Sequence, residues 1–107
     1  MAIQIDYNDE VYTLGFSRRT IQQMEKQGFD LEQVMSKPAT YVPMFFRGAF
    51  LMHHPRIKEE MVNEIFNNLA GKDDLLVALI DEYQAPLNAM FDDPDETDEK
   101  KGSWKKI

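Results

Sequence analysis

Cysteine is absent from this chain of 107 residues, and its absence excludes a disulfide framework and a thiolate metal site. The fold must therefore be held by packing, and the composition suits a reducing compartment. Long apolar runs are also absent, because the longest aliphatic stretch, 75–80, is far shorter than the roughly 20 residues of a membrane-spanning helix. The first residues lack the basic and then apolar pattern of a secretory signal. We expect a soluble cytoplasmic protein without a membrane partner.

Positive charge is scarce, since 12 Lys and Arg residues stand against 19 Asp and Glu residues and give a formal net charge of −7. Proteins that bind nucleic acid concentrate positive charge on one face, so we expect no nucleic-acid partner. The five glycines are scattered and form no phosphate-binding loop, and no serine lies in a nucleophile-elbow pattern. Paired carboxylates fall at helix starts and on polar faces, where they complement the helix dipole. The sequence predicts a protein that is not an enzyme and needs no cofactor.

His53 and His54, followed by Glu59, Glu60 and Glu64, are the one group that invites a metal interpretation. Adjacent histidines on a helix point about 100° apart, and His54 precedes a proline, so the pair lacks the four-residue spacing of a helical zinc site. We therefore predict no metal site.

The N-terminal region has the pattern of a β-hairpin. Ile3, Ile5 and Tyr7 alternate with polar residues, and 11–16 is rich in β-branched and aromatic residues, so that 8–10 is the predicted connection. Two strands alone are marginal in water. We expect the hairpin to pack on a helix or to pair with another chain.

Two short helical segments follow. Ser17 is a good N-cap for a helix over 18–27, which Gly28 should end in a left-handed turn. A capping-box-like start at Asp30 predicts a short turn through Met35, which Lys37-Pro38 terminates.

The stretch 41–53, after a cap at Thr40, fits a helix that has no polar face, and only Arg47 interrupts its apolar residues strongly. Such a helix must be covered on all sides, either by its own chain or by another protein. We favour a shared surface, with Arg47 placed to pair with a carboxylate at its rim. The predicted contact residues are Met44, Phe45, Phe46, Phe50, Leu51 and Met52.

Two amphipathic helices complete the predicted domain, which spans 1–91. The first opens at His54-Pro55 and is closed by Gly71, and the second is capped by Asp73 or Asp74 and kinked or divided by Pro86. The predicted fold class is mostly α (α+β): a small antiparallel helical bundle with an N-terminal β-hairpin.

The composition changes abruptly at 92, where an acidic block is followed by a basic one with almost nothing to bury. We predict that 92–107 is a disordered tail. Trp104, the one tryptophan of the chain, lies in this tail, and aromatic residues in such segments often anchor a partner. A single aromatic residue in a tail can equally have no role.

The layout of the chain resembles that of the short tail assembly chaperones of long-tailed bacteriophages. The resemblance covers about 1–91 and lies in the hairpin over 3–16, a helix that ends in 24–31 (Met-Glu-Lys-Gln-Gly-Phe-Asp-Leu), the apolar helix over 44–52, the Pro-Arg-Ile-Lys-Glu-Glu start at 55–60, and a last helix before an acidic tail.

This resemblance implies a helical, self-associating protein of the host cytoplasm that coats the tape measure protein until tail tube subunits displace it. It also implies a longer, frameshifted form of the same chain as a second partner, made through a slippery run at Lys100-Lys101 or Lys105-Lys106. The alternative is a small cytoplasmic adaptor or antitoxin-like module that binds one partner helix in an apolar groove, without a role in virion assembly. Both hypotheses lead us to expect a homo-oligomer or dependence on a partner.

Overall fold

The computed structural model describes residues 3–93, residue 100 and residues 102–107. Within these residues, the chain forms a two-stranded hairpin followed by five helices. In chain order the elements are β1 (Ile3–Tyr7), β2 (Glu10–Leu14), α1 (Arg18–Lys26), α2 (Gln33–Ser36), α3 (Pro38–Phe50), α4 (Glu59–Asn67) and α5 (Lys72–Ala89). The predicted fold class, mostly helical with an N-terminal hairpin, is confirmed. Residues 94–99 and 101 of the predicted tail lie outside the described residues.

The turn of the hairpin is set by two residues with unusual backbone angles. β1 and β2 pair antiparallel, with Tyr7 opposite Glu10, and Asn8 and Asp9 between them have φ angles of 53° and 66°. Two consecutive left-handed residues are typical of a type I′ turn, whose twist matches that of paired strands, and Asn and Asp tolerate this conformation better than most residues.

The hairpin packs on α3, as one of the two predicted arrangements requires. The Gly15 amide donates a hydrogen bond to the Ala49 carbonyl (3.0 Å), and the Thr13 amide donates one to Nε2 of His54 (3.0 Å). Leu14 is fully buried at the end of β2. The strand pair is therefore stabilised by the helix that it covers.

The start and end of α1 agree with the sequence prediction to within one residue. Ser17 Oγ accepts the Thr20 amide (3.2 Å), and Thr20 Oγ1 accepts the Ser17 amide (2.8 Å), so the two residues form a reciprocal capping box. After the helix, Gly28 has a φ of +93°, a conformation that L side chains rarely adopt.

The central helix, α3, lies three residues earlier than predicted at both ends. It begins at Pro38 because a proline in the first helical position has the required φ and no N–H to leave unpaired. It continues through Pro43 and ends at Phe50, after which 51–53 form turns.

The bounds predicted for the last two helices need correction. The α4 helix begins at Glu59 and not at Pro55. Lys58 has an extended backbone and serves as the N-cap, and the carboxylates of Glu59 and Glu60 in the first turn interact favourably with the positive end of the helix dipole. It ends before Gly71, where Nδ2 of Asn68 donates to the Glu64 carbonyl (2.8 Å). Gly71, with a φ of +72°, is instead the N-cap of α5.

Pro86 does not divide the last helix, since α5 runs through it from Lys72 to Ala89. Among the described residues, no helix combines the length and the apolar composition needed to cross a membrane.

The core is built around α3 from aromatic rings. Phe45 stacks on Phe16 and on Phe29 with ring centroids 5.3 and 5.5 Å apart, and Tyr83 of α5 meets Phe45 edge-on at 5.7 Å. On the other side of α3, Phe46 lies 4.9 Å from Phe66 of α4. Elements from both ends of the chain therefore cover this helix.

Candidate functional site

Three of the residues predicted to contact a partner lie in the core of the single chain. Phe45, Phe46 and Phe50 have exposed fractions of 0%, 1% and 0%. Their rings pack against the hairpin, the segment after α1, and helices α4 and α5, so none of the three offers surface to another protein. The predicted shared surface is corrected here, because the fold of one chain encloses these three residues.

The other predicted contact residues of the region reach the surface. Met44 and Leu51 are half-buried, and Met52 is exposed. Arg47 is exposed, and its Nη1 lies 3.1 Å from Oε2 of Glu59 in the same chain. The arginine thus has a carboxylate partner, as its position suggested, but that carboxylate belongs to α4 of its own chain.

A groove of about 260 Å³ lies between the C-terminal end of α1 and the outer face of α3. We call it the methionine groove. It is lined by Met24, Gln27, Phe29, Met44, Arg47, Gly48 and Leu51. Three of the predicted contact residues, Met44, Arg47 and Leu51, are thus brought together in one concave surface.

Gly48 allows the two helices that form the methionine groove to approach each other. A Cβ atom at this position would overlap the sulfur and the terminal methyl group of Met24. Any larger residue at position 48 would force the end of the Met24 side chain to move. The methionine groove provides open space beside that side chain. The shape of the groove therefore depends on this glycine.

The methionine groove is suited to binding apolar groups. Met24, Met44, Phe29 and Leu51 supply apolar surface, while the polar groups of Arg47 and Gln27 add hydrogen-bond donors. Across the described part of the chain, no group of three or more His, Asp or Glu residues could hold a metal ion. The Nε2 atom of His54 already accepts the Thr13 amide, which gives that histidine a structural role.

A second concave surface, of about 510 Å³, lies between the α1–α2 connection and α5. We call it the acidic groove. Glu25, Phe29, Asp30, Leu31, Glu32, Tyr83, Gln84 and Leu87 line it. Sequence reasoning missed this surface because Tyr83 and Leu87 come from a distant helix. The signal that could have indicated it is the alternation of carboxylates with apolar residues over 29–32.

Tyr83 reports the electrostatic character of the acidic groove. Burial of its ring, together with the nearby carboxylates of Glu25 and Asp30, raises the pKa of Tyr83 to about 12. None of the carboxylates of Glu25, Asp30 and Glu32 forms an ion pair with a residue in the described part of the chain. The groove therefore combines an apolar floor with carboxylates that form no ion pair with any described residue.

Trp104, the remaining predicted contact residue, lies in a segment, 102–107, that forms neither helix nor strand. Its side chain is 88% exposed, and Ile107 is fully exposed. Neither the methionine groove nor the acidic groove includes Trp104.

The chain was compared with models of protein families, with curated proteins and with solved structures. A model of the protein family described as "Domain of unknown function (DUF5055)" matches residues 1–106. No curated protein and no solved structure matches the chain.

Proposed function

The chain belongs to the family described as a domain of unknown function, DUF5055, and from its sequence and grooves we propose that it is a non-enzymatic phage tail assembly chaperone. In this proposal the protein self-associates and holds apolar helical segments of the tape measure protein in the host cytoplasm during tail morphogenesis. The cargo is suggested by the resemblance in layout to tail assembly chaperones. The binding mode is suggested by the methionine groove.

The composition of the methionine groove is the observation that carries the proposal. Met44 is half-buried in the groove, and Met24 lies at its base with an exposed fraction of 3%. Methionine is flexible and polarizable, so Met44 can adapt to apolar side chains of different shapes, as a chaperone of a long and variable helix requires. An apolar groove beside a helix is also the usual receptor for one face of an amphipathic helix.

The size of the methionine groove favours a protein segment over a metabolite. Its volume of about 260 Å³ lies below the roughly 300–1,000 Å³ of most small-molecule sites. A groove of this size accepts one or two side chains of a bound helix, while Arg47 at its edge can meet a polar group of the same ligand.

A co-purification experiment tests the proposed cargo. The proposal predicts that the genome encoding this chain also encodes a tape measure protein. The full chain is co-expressed with that protein, and the retained tape measure protein is measured after affinity capture. Met44→Glu replaces an apolar side chain of the groove by a charged one and is expected to reduce retention about tenfold or more, because a bound apolar helix would then have to cover and desolvate a carboxylate. Met35→Glu is the matched control, since Met35 is 82% exposed and lies outside the groove.

Two results would contradict the proposal. If the wild-type chain retains no tape measure protein, this protein is not the ligand. If the Met44→Glu and Met35→Glu variants retain equal amounts of it, the methionine groove is not the binding site. Circular dichroism of both variants shows whether each is folded. Binding of a different helical partner in the same groove, with no affinity for tape measure segments, would favour the adaptor or antitoxin-like alternative.

A further inference from the structure

The acidic groove has the features of a receptor for a basic and aromatic segment. Phe29 and Tyr83 form a buried apolar floor, with exposed fractions of 4% and 3%. Glu25, Asp30 and Glu32 line the same surface and are all exposed. A ligand with an apolar ring and adjacent cations would meet both kinds of surface together.

The C-terminal segment of the chain has this composition. Lys100, Lys101, Lys105 and Lys106 surround Trp104, and Ile107 follows them. The tryptophan and the isoleucine expose their side chains almost completely, at 88% and 109% of the reference area. Tryptophan is among the residues that contribute most to binding when a pocket buries them.

We propose that 102–107 of one copy docks in the acidic groove of a second copy. In this interface the Trp104 ring covers the floor at Phe29 and Tyr83, while Lys105 and Lys106 approach the carboxylates around it. Charge complementarity supports this choice of occupant, since the groove carries three carboxylates and the segment carries lysines beside its ring.

A second copy is the better source of the segment than the same chain. Eight residues, 94–101, separate Asp93 from Gly102, so the intervening chain could span up to about 30 Å at full extension. Leu87, which lines the acidic groove, lies two residues before the end of α5, so the length of the intervening chain does not by itself exclude the groove of its own chain. Trp104 nevertheless remains 88% exposed in the structure of the single chain, which leaves the groove open to another copy.

The tryptophan itself is the probe for this interface. Trp104 is the only tryptophan of the chain, so intrinsic fluorescence reports its environment without a label. In the full-length protein, docking in a second copy is expected to shift the emission to shorter wavelength as the concentration rises. Light scattering after size-exclusion chromatography should show an increase in mass over the same concentration range.

A mixing experiment identifies the receptor. One variant, Trp104→Ala, has no tryptophan but keeps its groove, and the other, Glu25→Lys with Glu32→Lys, keeps its tryptophan but has an altered groove. Asp30 is left unchanged because its Oδ1 accepts the Glu32 amide (3.0 Å). Neither variant alone should show the blue shift. Titration of the second variant with the first should restore it, because the tryptophan segment then meets an intact groove.

The control for the added positive charge is Asp6→Lys with Glu10→Lys. These two residues are exposed on the hairpin, outside the acidic groove, and their replacement changes the net charge by the same amount. The control should self-associate like the wild type, whereas self-association of the groove variant should be at least about tenfold weaker.

Three results would overturn the inference. A blue-shifted emission that is independent of concentration, with a monomeric mass, would place the segment in the groove of its own chain. Emission typical of exposed tryptophan at every concentration would show that it does not dock. Equal weakening by the groove variant and the hairpin control would show that only net charge matters.

The inference specifies how the self-association in the proposed function takes place. It rests on the proposed function for this self-association and not for the tape measure protein as ligand. Fluorescence and mass measure docking of the tail, whereas retention of the tape measure protein measures the methionine groove. A chain could lose either property and keep the other, so the two proposals can fail separately.

Discussion

Replacement of Phe45 by alanine tests the assignment of α3 to the core of a single chain. The Phe45 side chain is completely buried and contacts three other aromatic rings. If Phe45 belonged to a surface shared between proteins, the substitution would weaken assembly and leave the isolated chain folded. In the observed fold it should lower the stability of the isolated chain itself.

The expected magnitude follows from the contacts. Truncation of a buried phenylalanine to alanine costs about 3–5 kcal/mol, and the value should lie in the upper half of this range because aromatic pairs add about 0.5–1.5 kcal/mol each. The whole free energy of unfolding of a small domain is about 5–15 kcal/mol. If the free energy of unfolding of the chain is about 5–10 kcal/mol, the lower half of this range, Phe45→Ala removes a third or more of it.

Urea denaturation, followed by circular dichroism at low protein concentration, measures this loss. With a slope of about 1.5 kcal/mol per molar urea, a loss of about 4–5 kcal/mol lowers the midpoint by about 3 M. Phe91→Ala is the matched control, since Phe91 is 86% exposed and its truncation should change stability by less than about 0.5 kcal/mol. A Phe45→Ala midpoint within experimental error of the Phe91→Ala midpoint would refute the assignment.

Three further predictions concern the cap, a turn and the alkaline limit of stability. Ser17→Ala removes the side-chain acceptor of the α1 capping box and should lower the free energy of unfolding by about 1 kcal/mol in urea; Ser17→Asp, which keeps an acceptor, should cost less. Gly28→Ala adds a Cβ that meets no atom within 4 Å, so its cost of about 1–2 kcal/mol is backbone strain, whereas Gly102→Ala, in open space without a positive φ, should cost nothing measurable. Burial and two nearby carboxylates raise the pKa of Tyr83 from 10.0 to about 12, so the folded chain keeps this proton in a range where the unfolded chain loses it. Stability should therefore fall as the pH rises from about 10 to 12, by at most about 1.4 kcal/mol per pH unit and by less where solvent screens the hydroxyl; denaturation of Tyr83→Phe across this range should lack this contribution.

Local signals were sufficient for the N-terminal third of the fold. The hairpin alternates apolar and polar residues, and α1 begins with Ser17 and ends before Gly28, so each boundary depends on residues within a few positions of it. Local residues therefore set the positions of these boundaries, although packing on α3 stabilises the hairpin itself. The structure reproduces α1 to within one residue, whereas the second strand spans Glu10–Leu14 and not the predicted 11–16.

Boundaries that depend on tertiary contacts were less predictable. A proline can open a helix or precede one, and the structure uses Pro38 in the first way and places Pro55 in a turn before α4. Glycine commonly ends a helix, but Gly71 serves as the left-handed N-cap of the following helix. The sequence alone does not separate these alternatives, because each satisfies the same local geometry.

The faces of α3 could not be assigned from the sequence for the same reason. A helix with apolar residues in almost every direction gives no amphipathic signal, so Phe45 and Met44 looked equivalent as contact residues. Their difference comes from Tyr83 and Phe16, which lie far along the chain and close over Phe45, while Met44 is left at the edge of a groove. The all-apolar pattern was correct evidence for cover on all sides, and the chain itself supplies most of that cover.

Burial of α3 moves the case for a partner from the helix to two grooves that meet at Phe29, which lines both. Their charges differ, because the Arg47 guanidinium beside the methionine groove is already paired with Glu59, whereas three carboxylates line the acidic groove. A lysine-rich segment is therefore attracted to the acidic groove, and an apolar helix face is suited to the methionine groove. Electrostatics thus separates the two proposed ligands, so one copy could hold a cargo helix and the tail of another copy without competition between them.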